Sequence, residues 1–472
     1  MPYTDRQECA PPTLSHRPVP LLPHAVPTQI VAWREEGAVT AAAFLADVRR
    51  LVPLLPASTH ILNDCHDRYR FLVTLCAIMV AGKINLLPST RTPETIRQLQ
   101  LFAPDACCLT DQTQCTIALP RMHFPDAVPG GDDAGRFEVP QLDPAQTVAY
   151  VFTSGSTGVP VAHRKTWGAL VRNVQAEAQQ LGLSAGSACT IVGTVPPQHM
   201  YGFESTVLMP LVNGFALDSS PWFYPADICA ALQRVPAPRV LVTTPVHLRQ
   251  LLAMPAPLPE VALLVSATAP LSPQLALQSE QAFDAPLLEI YGSTETGQIA
   301  SRRPTQSQEW TLFPGVCMQR DANNPQDERM WISGGHVEAA MPMNDAIELT
   351  GDQRFLLHGR MADMINIAGK RSSLAYLNHH LNAIPGVEDG VFYMPPEKTS
   401  GEVTRLQAFV VAPTLEPADI LAALRTRIDA AFMPRPLHKV AALPRNATGK
   451  LPQAALAELA QSLTHRSLPE AG

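Results

Sequence analysis

The chain has 472 residues, a net charge of −7, 46% hydrophobic residues and only 16% charged ones. Its mean hydropathy is +0.02, so a large core can form, and a mainly disordered chain, which needs low hydrophobicity and high net charge, is excluded. The pI of about 6.1 argues against a nucleic-acid binder, and the length predicts two to four domains at roughly 100–200 residues each. Nine cysteines from Cys9 to Cys317 contain no CxxC pair. An odd, unpatterned set predicts free thiols in a reducing, cytoplasmic compartment. The start, MPYTDRQECAPP, has no basic and apolar leader pattern. The longest apolar stretch, Phe71 to Gly82, is short of the roughly 20 residues of a membrane span and predicts a buried helix.

Thr40 is the expected N-cap of a helix through AAAFLADVRRLV. A strand THILNDC (59–65), the apolar helix ended by Gly82, and a strand INLLPS follow. Thr92-Pro93 opens another helix, with Pro at the first helical position. Further apolar strands are TVAYVFT (147–153), CTIVGTV (189–195), RVLVTTP (239–245), VALLVSA (261–267) and PLLEIYG (286–292), with helical stretches between them. The segment 127–146 reads as a loop. Alternating strands and helices predict an α/β fold with parallel-rich sheets covered by helices. Beyond about 355 the pattern changes to short strands, DMINIAG and RLQAFVV, with helical stretches near 373–384 and 416–432. This predicts a small α+β domain. Residues 360–472 hold twelve Lys/Arg and ten Asp/Glu, a net of +2, against −9 for the rest.

The strand TVAYVFT ends at Thr153 and runs into Ser154-Gly155-Ser156-Thr157-Gly158, with a helix expected from about Trp167. Two glycines and three hydroxyls suit a loop that wraps phosphate oxygens, although an ordinary Ser/Gly turn has the same composition. It is not a Walker A loop, because no GK[ST] follows. Five other segments accompany it: NLLPS (85–89), VPPQHMYGF (195–203), YGSTETG (291–297), TGDQRFLLHGRMADMINIAGKR (350–371) and PRNATGK (444–450). In order and spacing, over roughly residues 40–455, the series resembles the motifs of the adenylate-forming superfamily of acyl- and aryl-CoA ligases, adenylation domains and luciferases.

The resemblance implies a large N-terminal domain, 1–358, binding ATP and an acid, and a small mobile C-terminal domain, 359–472, carrying the catalytic lysine. It implies that a carboxylate attacks the α-phosphate of ATP, and that a thiol of CoA or of a carrier-protein phosphopantetheine then displaces AMP. Such a reaction asks for positive charge and alignment. Lys450 matches the family's catalytic lysine, Glu295 the Mg²⁺ ligand, and Thr294 an α-phosphate contact. Tyr291 would pack on adenine beside Gly292, or simply in the core. Asp352 matches the ribose-binding acid, Arg360 a ribose or phosphate contact, and Gly369 a pantetheine passage. Arg371 matches a phosphate contact, with a plain salt bridge an equal reading. His199 aligns with the gate of the acid pocket, or is a core histidine. Phe203, Ser266, Ala267, Thr268, Gly292 and Ile299 are the expected pocket lining, small and neutral enough for a modest acyl or aryl acid. Glu204 is in the wrong register to bind a substrate ammonium.

Two positions depart from the family. Val161 stands where the phosphate loop usually has Lys, with Arg164 or Lys165 as substitutes for its charge, and Ala362, followed by Asp363, stands at the hinge. HRKTWG and NLLPS together look most like compact ligases of bacterial polyene-pigment and fatty-acid-like pathways, which points to an aromatic acid such as a hydroxybenzoate. An adenylating enzyme that makes no thioester, or an inactive nucleotide-binding homologue, are the alternatives. A basic group (Arg425, Arg427, Arg435, Lys439 and Arg445) raises the expectation of an acidic acyl carrier protein as partner.

Overall fold

The computed structural model describes residues 17–23, 25–88, 90–125, 137–153, 160–220, 224–321, 324, 327, 329–361, 364–367, 370–395, 405–445 and 451–466. Local signals set most of the early elements. Thr40 caps the helix Ala41–Leu51, its hydroxyl accepting from the Ala43 amide at 3.2 Å. Thr92 caps Pro93–Phe102 in the same way. The apolar helix Arg68–Val80 is buried almost all round, and Gly82, at φ +68°, reverses the chain after it.

Two sheets form the frame. The first has six strands in the order Val161–Thr166, Thr147–Thr153, Ile84–Leu87, His60–Asp64, Cys107–Thr110 and Arg121–His123. All its pairings are parallel except that of Val161–Thr166 with Thr147–Thr153. The second has eleven strands. Its parallel centre joins Leu287–Ser293, Leu263–Ser266, Arg239–Thr243, Thr190–Gly193, Ala216–Asp218 and Ile30–Arg34. Antiparallel strands flank this centre, including Gly297–Arg302, Trp310–Leu312 and Arg354–Arg360. The protein is therefore mixed α/β. Most parallel strands between 40 and 295 fall where the apolar runs predict them, although Cys107–Thr110, Arg121–His123 and Ala216–Asp218 are additional; the edge strand Asp345–Gly351 of the antiparallel extension is half-buried to exposed along its length and gives no such signal.

Residues beyond 364 form two further cores. One core gathers Ile365, Leu377, Phe392, Val410 and Ile420, and another gathers Val391, Phe409, Leu443 and Leu456. The main core ends at Phe355. The helix expected over 416–432 is shorter, Pro417–Arg425 followed by a 3-10 turn Ala430–Phe432, and a helix Gln453–Arg466 is added.

The helix expected from about Trp167 is present as Trp167–Gln180, and a strand that was not expected, Val161–Thr166, precedes it and pairs antiparallel with Thr147–Thr153. The polar sequence VAHRKT hides this strand from a reading based on apolar runs. Seven described cysteines are free thiols, most of them buried, but Cys317 is disulfide-bonded. Among the described residues no helix is long and apolar enough to cross a membrane.

Candidate active site

The hairpin of the six-stranded sheet meets the turn Thr294–Thr296 of the eleven-stranded sheet, and this junction brings Thr153 together with Thr294 and Glu295. Ser293 and Thr296 cap each other across the turn: the Thr296 amide donates to Ser293 Oγ at 3.2 Å and the Ser293 amide to Thr296 Oγ1 at 3.3 Å. Gly292 must be glycine, since a Cβ there would lie 2.3 Å from the Gly297 carbonyl oxygen. The Glu295 side chain is 38% exposed, and its carboxylate lies 3.7 Å from His163 Nε2. The same nitrogen lies 2.9 Å from Thr153 Oγ1, so the last residue before the phosphate loop, His163 and Glu295 are in line. An oxygen ligand with this much free surface suits Mg²⁺, which keeps several waters and takes one or two carboxylates.

The two basic residues proposed to replace the missing loop lysine have different surroundings. Arg164 lies 3.7 Å from the Glu338 carboxylate. Lys165 is buried under the turn, donating from Nζ to the carbonyls of Thr294 at 2.5 Å and Glu295 at 3.2 Å. Burial lowers its pKa, opposed by Glu204, Glu295 and Glu338.

Below the turn lies a buried polar network that the sequence did not reveal. Asn173 Nδ2 donates to Glu204 Oε1 at 2.7 Å, Ser205 Oγ to Glu177 Oε1 at 2.5 Å, and Gln298 Nε2 to Ser205 Oγ at 2.7 Å. Glu204 thus faces a protein amide and a lysine, consistent with its exclusion as an ammonium-binding acid. Burial pushes the Glu177 carboxyl up to about 8 from 4.5, opposed by its bond from Ser205. A folded-state pKa above the unfolded one gives stability that is present below about 4.5 and lost as pH rises through about 8. Glu177→Gln, neutral at every pH, is therefore expected to lose less stability than the wild type between pH 6 and 9, read as urea midpoints.

The segment 195–203 is fixed from beneath by Arg68, which is 1% exposed. Its guanidinium donates to Thr206 Oγ1 and to the carbonyls of Asp218, Ser220, Gly193 and Val195, at 2.9–3.3 Å. Gln198 Nε2 donates to the Cys65 carbonyl at 2.6 Å. A Cβ on Gly202 would meet the Pro196 carbonyl oxygen at 2.1 Å, so only glycine lets the loop close. These contacts place His199, half-buried, at the N-cap of the short helix Met200–Gly202.

Of the predicted pocket residues, Phe203, Ala267 and Ile299 share the main core, Phe203 and Ile299 with no exposed surface. Ser266, at the end of the strand Leu263–Ser266, is also fully buried, and its hydroxyl has no hydrogen-bond partner. Thr268 follows at φ +78°, a strained conformation for a β-branched residue. Tyr291 joins an aromatic group with Trp310 and Phe355, ring centroids 5.5 and 5.8 Å away, and its hydroxyl donates to Asp345 at 2.5 Å. Asp352 is exposed in the turn between the strands Asp345–Gly351 and Arg354–Arg360. Ser154, Gly155, Ser156, Thr157, Gly158, Ala362, Asp363, Gly369 and Lys450, and the side chains of Arg360 and Arg371, lie outside the described residues.

Comparison with known proteins agrees with this architecture. Residues 55–320 match the family model described as AMP-binding enzyme. A 4-coumarate–CoA ligase of Rhodobacter capsulatus is 31% identical over 311 residues, spanning 65% of this chain and 75% of the relative. A 4-chlorobenzoate–CoA ligase of an Arthrobacter species is 26% identical over 387 residues, spanning 72% and 71%. Among solved structures, ATP-bound MatB from Rhodopseudomonas palustris superimposes with a TM-score of 0.76 at 19% identity, covering 93% of this chain and 97% of that one. The chain belongs to the AMP-binding enzyme family, within the adenylate-forming superfamily, and is an AMP-forming acid–thiol ligase.

Proposed function

We propose that the protein activates a carboxylic acid with ATP, releasing pyrophosphate, and transfers the acyl group from the acyl-adenylate to the thiol of CoA. The observation that carries this reading is the alignment of Thr153, His163 and Glu295 where the two hairpins meet, with Thr294 beside them. Glu295 would hold Mg²⁺, whose charge offsets that of the phosphates; Thr294 would bond the α-phosphate. Thr153 and the hydroxyl-rich segment 154–158 would enclose the β- and γ-phosphates. Tyr291, fixed by Asp345 and Trp310, presents a ring for adenine. Asp352 accepts from the ribose hydroxyls, with Arg360 and Arg371 at the ribose or phosphates. Lys450 brings an ammonium to the acid and the α-phosphate. The chain divides into units 1–358 and 359–472, the second carrying Lys450 and moving against the first.

The acid is read as aromatic, of the hydroxybenzoate kind. Relatives named for coumarate, chlorobenzoate and hydroxybenzoate support this, as does the neutral set His199, Phe203, Ser266, Ala267, Thr268 and Ile299. CoA is favoured over an acyl carrier protein. Two of the basic residues expected to greet a carrier are engaged internally: Arg445 Nε donates to Asp389 at 2.7 Å and Lys439 Nζ to the Leu415 carbonyl at 2.6 Å.

The test is pyrophosphate release over a panel of aromatic and short-chain acids, followed by mass analysis of CoA and of a holo carrier protein as acceptors. No release with any acid sinks the reading; acylated carrier with untouched CoA reverses the choice of thiol. Asp352→Ala is expected to weaken ATP and AMP alike by about 10–100-fold in calorimetry, the value of one charge-assisted acceptor.

A further inference from the structure

We propose that Lys165 is a positioning residue for the metal-binding turn: its buried ammonium holds the peptide carbonyls of Thr294 and Glu295 inward, so that the side chains of both residues are presented to the nucleotide. The proposal rests on the reading of Glu295 as the Mg²⁺ ligand.

The turn Thr294–Thr296 has its successive carbonyls gripped from inside. Lys165 Nζ takes those of Thr294 and Glu295 at 2.5 and 3.2 Å, and His336 Nε2, 5% exposed, lies 3.0 Å from that of Thr296. Carbonyls of adjacent residues repel one another when they converge, and a shared cation relieves this. The ammonium is suited to the task because it offers several donors from one point. Glu204, buried at 1% exposure and held by Asn173, draws on it electrostatically, as do Glu295 and Glu338. The turn is seated directly on this network. Gly297 has φ +74°, and a Cβ there would lie 2.1 Å from Asn173 Nδ2 and 2.9 Å from Glu204 Oε1.

The chain route explains how one strand serves both sides of the site. In an extended strand, residues two apart share a face. Val161, His163 and Lys165 therefore point the same way along Val161–Thr166, and successive members meet solvent, Glu295 and the underside of the turn. The charge absent at Val161 appears four residues on, at Lys165, where it is spent on the geometry of the metal ligand.

The experiment compares wild type, Glu295→Gln and the double variant Lys165→Met/Glu204→Gln. The double variant removes the buried cation together with its counter-charge, so no uncompensated charge is left inside. Binding of Mn²⁺ to each enzyme with a non-hydrolysable ATP analogue is measured by electron paramagnetic resonance, beside the Mg²⁺ dependence of pyrophosphate release and circular dichroism. The folded double variant is expected to bind Mn²⁺ about tenfold or more weakly, and to need correspondingly more Mg²⁺, with the KM for the acid unchanged. Wild-type Mn²⁺ affinity in the folded double variant, alongside a loss in Glu295→Gln, overturns the role of Lys165 alone. Wild-type affinity in Glu295→Gln removes the metal-ligand reading itself. A double variant that cannot fold assigns the pair to stability and equally overturns the proposal.

Discussion

Lys450→Ala is expected to lower acyl-adenylate formation by about 10²–10³-fold, the usual cost of removing one preorganised charge from a developing anion. Two anions, a carboxylate and a triphosphate, must meet in the first half-reaction, so a cation at their junction lowers that barrier more than the next one. Thiolysis of supplied acyl-adenylate displaces AMP from a neutral acyl carbon and should be largely retained. Single-turnover measurement of both halves gives the answer: normal pyrophosphate release in the variant would take Lys450 out of the mechanism.

Arg68→Met is expected to destabilise the fold by about 3–5 kcal/mol, in the range found for breaking a fully buried charged network. Five acceptors converge on this guanidinium, matching its five N–H donors. Burial lowers its pKa to about 10, which still leaves it charged at neutral pH. Four of the acceptors are backbone carbonyls that would be left without a partner in a site closed to water. Lys at this position keeps the charge but offers three donors and no fork, so it should rescue little. Chemical denaturation of the three proteins measures the difference. A loss below about 1 kcal/mol in Arg68→Met would mean that water or neighbouring groups take over its bonds. Because Gly193 and Val195 lie at the entry to the 195–203 segment, a folded Arg68→Lys should also lose affinity for the acid.

Much of the frame was legible in the sequence because its signals are local. Thr40 and Thr92 announce helix starts through their own hydroxyls, and the parallel strands are apolar runs buried on both faces. TVAYVFT falls on the strand Thr147–Thr153 residue for residue. The strand Val161–Thr166 was not legible: its polar side chains answer to the turn 294–296, some 130 positions away in sequence. Arg68, Asn173, Glu177 and His336 were missed for the same reason. Each is a polar residue in an otherwise ordinary segment, and only the crossing of the two sheets gives it partners. Tyr291 and Thr294 stand out through their motif, yet the aromatic support of Tyr291 from Trp310 and Phe355 carries no motif at all.

The hairpin formed by Thr147–Thr153 and Val161–Thr166 also constrains how this enzyme can change over evolutionary time. Thr153 and Val161 are cross-strand partners, and the pairing runs on without interruption as far as Ala149 and Lys165. Side chains on such a strand alternate, so gaining or losing a single residue between His163 and Lys165 would turn the lysine to the opposite face and take its ammonium from the Thr294 and Glu295 carbonyls. Length changes there are tolerable only in pairs, whereas changes inside the connection leave the ladder intact. Descendants of this sequence should therefore vary in the composition and length of the connection while keeping the two-residue step from His163 to Lys165, a pattern of insertions and deletions that can be counted in any set of relatives sharing HRKTWG.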